Sequence, residues 1–277
     1  MKATLAFCLL TASTLCAQPP QFGGRGGSPL IGQASQLDLD GKSPEARELF
    51  QKAIDSAASP AARANAERAM AMSWAFEGNC AKTGDYEQKV IDYWVTQEST
   101  DPGNAFYQEG EMADEAARVC IDSGDLDGAA RWYKTGRDLG LKEPNISADR
   151  TALWNFRYEH AEARIAARRG NRAEAEKHVA LAKAELDKMT GLRSQQESFV
   201  PYLTGYVAFY LGDYKTALAD FERANQYDAF IQCMIGETYE KLGDKDKAME
   251  YYRKAAAVRG HNPPAAYAKP FARKKLG

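Results

Sequence analysis

The segment Leu211-Gly-Asp-Tyr-Lys-Thr-Ala217-Leu-Ala-Asp-Phe221-Glu-Arg-Ala224 returns 31 residues later as Leu242-Gly-Asp-Lys-Asp-Lys-Ala248-Met-Glu-Tyr-Tyr252-Arg-Lys-Ala255. In both copies a Gly-Asp pair precedes Ala, an aromatic residue and Ala at steps of five, four and three. Steps of four and three place those side chains on one face of a helix. Glycine takes the left-handed conformation that ends a preceding helix, and the next aspartate accepts hydrogen bonds from the free amides that open a new one. Each copy therefore reads as a corner between two helices. The same punctuation stands upstream at Gly84-Asp85, Gly124-Asp125 and Gly170-Asn171, so that five corners follow one another at intervals of 40, 46, 42 and 31 residues. Asp85 with Gln88 and Asn171 with Glu174 have capping-box spacing. Ser43-Pro44, Ser59-Pro60 and Asp101-Pro102 mark three further helix starts.

Composition agrees with helices. The 277 residues include 47 Ala but only 15 Val plus Ile, whereas sheets draw on β-branched residues. A hairpin with one apolar face is covered only by stacking on another, and fixed-interval corners are the mark of such stacks. The pattern predicts an all-α solenoid of stacked helix–turn–helix hairpins. Lys+Arg 36 against Asp+Glu 38 leaves a net charge of −2, without the positive field of a general nucleic-acid binder.

In these residues the chain resembles the tetratricopeptide repeat family. Gly205, Gly212, Ala217, Phe221 and Ala224 fill the family's small and aromatic positions in one unit, and Gly236, Tyr239, Gly243, Ala248, Tyr252 and Ala255 fill them in the next. Upstream, Ala163, Gly170, Ala175 and Ala182 keep the small positions, with Val179 at the aromatic one. Ala117, Gly124, Ala129 and Tyr133 keep the aromatic and end on Gly136, and the Gly84 unit has Lys89 in place of Ala. The resemblance covers residues 60 to 260 and implies a right-handed superhelical solenoid of five hairpins, preceded by a helix over 43–57. Three units exceed the usual period, and the Pro that closes the second helix is missing.

The ends read differently. Lys2, the apolar run Leu5 to Leu10 and Leu15-Cys16-Ala17 form a secretory signal over 1–17, with lipidation at Cys16 as a second reading. Residues 18–42, rich in Gly and Pro at their start, are expected to be a flexible linker, 43–262 the repeat domain, and 263–277 a capping helix or tail. Export to a periplasm would leave Cys80, Cys120 and Cys233. The repeat register puts Cys80 and Cys120 at equivalent places in adjacent units, a candidate disulfide. No spacing of His, Cys or carboxylates suggests a metal, and no cofactor or membrane span is expected.

The resemblance implies that function lies on the concave inner wall. Projected there, Arg157, His160, Arg164 and Arg168 stand beside Phe199, Tyr202, Tyr206, Phe209 and Tyr210, guanidinium groups against aromatic faces. Such a wall suits an extended peptide bearing acidic or carboxylate groups. The competing reading is ordinary, with tyrosines packed between helices and an arginine row on a solvated face. The family's clamp of Lys, Asn and Arg for chain termini is absent, since Asp114, Arg118, His160, Arg164, Tyr202 and Tyr206 stand at its positions. No nucleophile elbow, kinase set or metal motif is present. The expected function is a non-catalytic protein-protein interaction scaffold in the periplasm, with an envelope-assembly or cell-wall accessory factor as the alternative.

Overall fold

The computed structural model describes residues 28–277. Its secondary structure is helical throughout: α1 (Pro29–Leu39), α2 (Ser43–Asp55), α3 (Pro60–Ala75), α4 (Cys80–Val95), α5 (Pro102–Ser123), α6 (Leu126–Gly140), α7 (Ala148–Arg168), α8 (Arg172–Lys188), the single turn α9 (Arg193–Gln196), α10 (Phe199–Tyr210), α11 (Tyr214–Phe221), α12 (Ala229–Leu242), α13 (Lys245–Ala257) and α14 (Pro263–Leu276). Five hairpins, α3/α4, α5/α6, α7/α8, α10/α11 and α12/α13, stack in order, each packed on the next. The molecule is an all-α repeat solenoid.

Four of the five corners form as the sequence predicts. Gly124, Gly170, Gly212 and Gly243 all have positive φ, between +72° and +94°. The residue after each caps the next helix: Asp125 accepts from the Gly128 amide at 2.8 Å, Asn171 from Glu174 at 3.3 Å, Asp213 from Thr216 at 3.2 Å and Asp244 from Lys247 at 3.1 Å. Gly84-Asp85 is different, because it lies inside α4. The corner sits six residues earlier, where Gly78 has φ +65° and Asn79 accepts from the Lys82 amide at 3.0 Å. Gly84 is small for another reason: a Cβ there would lie 3.2 Å from the Trp132 ring of α6. Of the three Pro-marked starts, only Ser59 uses its side chain as a cap, accepting from the Ala62 amide at 3.1 Å.

Small residues admit aromatic ones between helices. A Cβ on Gly205 would stand 2.9 Å from Phe221 Cδ1, and one on Gly236 would stand 2.7 Å from Tyr252 Cε1. The same relation recurs with a larger ring at Gly110 and Gly140, both of which press on the fully buried Trp154 of α7. Phe221, Tyr252, Ala217, Ala224, Ala248 and Ala255 are all buried, as core positions of the repeat require. Cys80 and Cys120 are joined as a disulfide that ties α4 to α5, with Cα atoms 4.6 Å apart.

Both ends depart from expectation. The signal over 1–17 and the linker up to residue 27 lie outside the described residues. The remainder of the expected linker is not a flexible segment: α1 occupies Pro29–Leu39 and packs on α2 and α3, with Ala34 and Asp38 fully buried. Leu30, Ile31 and Leu37 complete its contact with Phe50 and Met70. At the other end α14 covers α12 and α13, as a terminal cap should, and continues onto α3 and α5. His261 Nε2 meets Asp38 Oδ2 at 2.8 Å, its ring lies between Phe50 and Phe76, and the Arg273 guanidinium donates to the Leu39 carbonyl. The last helix thus bridges the first and last hairpins.

Candidate partner-binding site

The inner helices α7 and α10 carry the residues that the sequence assigns to a binding wall. Their neighbourhood is as expected, since α7 packs on α10 and its arginines meet the tyrosines. Arg164 donates to the Tyr202 hydroxyl at 3.0 Å, to the Tyr133 hydroxyl at 2.7 Å and to the His160 carbonyl at 3.3 Å. The Arg168 guanidinium lies over the Tyr210 ring at 4.9 Å and donates to the Ile121 carbonyl.

Exposure is where the expectation fails. His160, Arg164, Tyr202, Tyr206 and Phe209 are buried, and Arg168 and Tyr210 are half-buried. Tyr206 stacks on Phe230 and Phe209 meets Tyr214 edge to face, so both belong to the core of the last repeats. Tyr206 and Phe209 therefore offer no free wall to a partner. Burial follows from neighbouring helices: Tyr202 and Tyr206 pack on Phe230 of α12, Phe209 on Tyr214 of α11, and Arg164 reaches Tyr133 of α6. Phe199, 42% exposed, presents itself fully at a surface, and Arg157, Arg168 and Tyr210 do so in part.

Beside Phe199 and Arg157 opens a cavity of about 270 Å³. Phe199 and Arg157 stand at its rim, while the buried His160, Arg164 and Tyr202 lie deeper, and Pro263 and Pro264 at the start of α14 add an apolar side. Tyr133 and Gln196 add polar groups, and α5 contributes the remaining charges as Glu111, Asp114, Glu115 and Arg118. Sequence reasoning did not assign these four to the site. Their signal was a charged stripe at helical spacing along a helix otherwise rich in Ala, although Asp114 and Arg118 had been placed at clamp positions.

The charges of the cavity are specific. Arg157 pairs with Glu111 at 2.5 Å, Arg118 with Asp122 at 3.0 Å, and Arg68 donates through Nε to Glu115 at 3.0 Å. Burial opposes the charge on Glu111, but Arg157 and the Tyr107 hydroxyl override it and hold the carboxyl below its usual range. For Asp114 burial wins over Arg157, and its carboxyl is pushed up to about 8. Burial, then Glu115, raises the fully buried Glu87 well above the ordinary carboxylate range. His160 is driven the other way, first by burial and then by Arg164 and Arg118, so its imidazole is neutral at pH 7. His160 Nε2 and Arg118 Nη2 are buried without a hydrogen-bond partner.

Metal ligation finds little room. Cys80, Cys120 and Asp125 bring three potential ligand atoms within 4.8 Å, but the two sulfurs are bonded to each other, which removes the thiolates that a soft metal takes. Among the described residues no helix is long and apolar enough to cross a membrane.

Known proteins match this chain locally and in outline. No curated protein matches it. Among solved structures, a protein of nearly identical TPR-like repeats from Podosopora anserina shares 14% identity, covering 83% of this chain and 92% of that one, with a TM-score of 0.40. A tetratricopeptide repeat protein from Parabacteroides merdae shares 14% identity, covering 91% and 98%, with a TM-score of 0.36. The family model described as tetratricopeptide repeat matches residues 231–262, the span of α12 and α13 where Gly236, Gly243, Ala248, Tyr252 and Ala255 take their expected places. The last hairpin of this solenoid is thus similar to a tetratricopeptide repeat.

Proposed function

We propose that the protein is a non-catalytic interaction scaffold of the cell envelope, which holds an extended segment of a partner protein at the cavity rim between α7 and α10. Tetratricopeptide repeats generally mediate contacts between proteins, and the match over residues 231–262 supports that class. The observation that carries the reading is the pairing of Phe199 with Arg157 at one rim, an exposed aromatic face beside a guanidinium whose position is fixed by Glu111. Aromatic and arginine side chains supply most of the energy in protein recognition, and a wall set in place by repeat packing needs little ordering when a partner arrives. Acidic or carboxylate groups on the partner suit this rim. Envelope location rests on the leader read over 1–17.

The test is crosslinking and affinity enrichment from the native envelope fraction, comparing the wild type with an Arg157→Ala, Phe199→Ala double variant. Arg157→Ala also leaves the half-buried Glu111 unpaired and should lower the melting temperature, so Phe199→Ala alone, at an exposed side chain, is the variant that keeps the wild-type stability. A partner held by the wild type and lost by the variant supports the reading. A partner retained equally by both moves binding away from this rim.

A further inference from the structure

The interior between α5, α7 and α10 holds a guanidinium that no carboxylate pairs with directly. Arg157 is matched by Glu111, Arg118 by Asp122 and Arg68 by Glu115. Arg164, 3% exposed, forms no ion pair among the described residues; its guanidinium is held by the two phenol hydroxyls and one carbonyl. Asp114 and Asp122 feel its charge without a direct contact, and burial pushes both carboxyls up. A buried guanidinium without a direct counterion is costly, and so are buried donors or acceptors without partners. Both kinds of cost meet in one cavity, because Arg118 Nη2 and His160 Nε2 are unpartnered there and Arg164 lines the same space.

We propose that this cavity binds a small organic monoanion, a carboxylate carried on an apolar body. The carboxylate would take Arg118 Nη2 and compensate Arg164, while the apolar part rests on Phe156, Tyr202 and Pro263. His160 Nε2 completes the polar contacts. A volume of about 270 Å³ is close to the lower end of small-ligand sites, roughly 300–1,000 Å³, and favours a free small molecule over a length of chain. The inference goes beyond the scaffold reading and does not depend on it, since the partner there sits at the rim.

The test uses calorimetric titration of the full chain with phenylacetate and hexanoate, with phenylacetamide as the uncharged counterpart. Saturable binding at one site by a carboxylate, roughly tenfold or more tighter than by the amide, is the expected result, the scale of one charge-assisted hydrogen bond. Arg164→Met keeps the volume and removes the charge, and should abolish the difference between acid and amide. Should that variant fail to fold, the ring nitrogen shifts of His160 in the wild type give the same answer, moving with the acid and not with the amide. Equal binding of acid and amide, or no binding of either carboxylate, overturns the proposal. A Phe-terminated peptide that binds through its free carboxylate while phenylacetate does not would assign the cavity to chain ends and overturn it too. Any of these failures leaves the enrichment experiment at the rim to be judged separately.

Discussion

His261 Nε2 and Asp38 Oδ2 lie 2.8 Å apart although 223 residues separate them in the chain. Asp38 is fully buried, and its other oxygen accepts from Ser73 Oγ at 2.9 Å, so three helical units converge on one carboxylate. This contact, with Arg273 at Leu39, fastens the C-terminal segment to the first hairpins and brings Pro263 and Pro264 to the cavity. Removing one partner of a buried polar pair leaves the other desolvated and unmatched, at a cost of about 2–4 kcal/mol. Asp38→Ala should lower the urea midpoint accordingly and raise amide hydrogen exchange in α14 before the rest of the chain. Unchanged exchange in α14 would show that the helix is held by α12 and α13 alone.

The repeat glycines have two separable reasons. Gly236 is forbidden a side chain by Tyr252, whose Cε1 and Cδ1 would stand 2.7 and 2.8 Å from a Cβ. Gly170 meets nothing within 4 Å but has φ +72°. Gly236→Ala should therefore cost about 1–3 kcal/mol through overpacking, and Gly170→Ala about 1 kcal/mol through backbone strain. Combining Gly236→Ala with Tyr252→Leu should recover part of the first loss and none of the second. A denaturation series that finds no such recovery would refute the steric cause.

The disulfide links residues 40 apart and ties α4 to α5. Closing a loop of that length restricts the unfolded chain by up to about 4 kcal/mol in the chain-entropy model, and native contacts reduce the benefit in practice. Cys80→Ser with Cys120→Ser should lower stability by about 2–4 kcal/mol, and dithiothreitol should destabilise the wild type without affecting the double variant. Non-reducing peptide mapping checks the connectivity directly, with the buried Cys233 reacting with a thiol reagent only after unfolding. Recovery of Cys80 as a free thiol would disprove the link.

What the sequence disclosed was local. Gly212-Asp213 and Gly243-Asp244 announce their corners because left-handed glycine and the capping carboxylate act within four residues. Gly84-Asp85 carries the same letters yet lies inside a helix, because its glycine answers to Trp132, 48 positions away. α1 was legible too: Leu30, Ala34 and Leu37 stand at helical spacing, yet the Gly and Pro just before them read as a linker, and the expected linker ran too far into the helix. At the site, the meeting of Arg164 with Tyr202 follows from repeat register and was legible. Their burial was not, since it depends on Tyr133 of α6 and Phe230 of α12 closing over them, contacts with no local signature.

The buried carboxyls of the inner wall set the response to pH. Asp114 titrates at about 8 in the folded chain, because burial outweighs the attraction of Arg157, against about 4 when unfolded. Between these values the folded state binds a proton that the unfolded state has released, so stability is greatest at the acid side of the window and falls as pH rises toward 8. One proton contributes a slope of at most about 1.4 kcal/mol per pH unit. Glu237, raised to about 7 chiefly by burial, adds a fall of the same sign that ends near neutrality. Asp114→Asn fixes the neutral form, and its urea midpoint should decline less steeply than that of the wild type between pH 5.5 and 8. Above pH 7 the difference still isolates Asp114, because Glu237 and Glu109, both raised to about 7, titrate alike in the two proteins. Parallel declines through that upper range would mean that Asp114 is ionised in the folded chain, and that Arg164 is compensated from within.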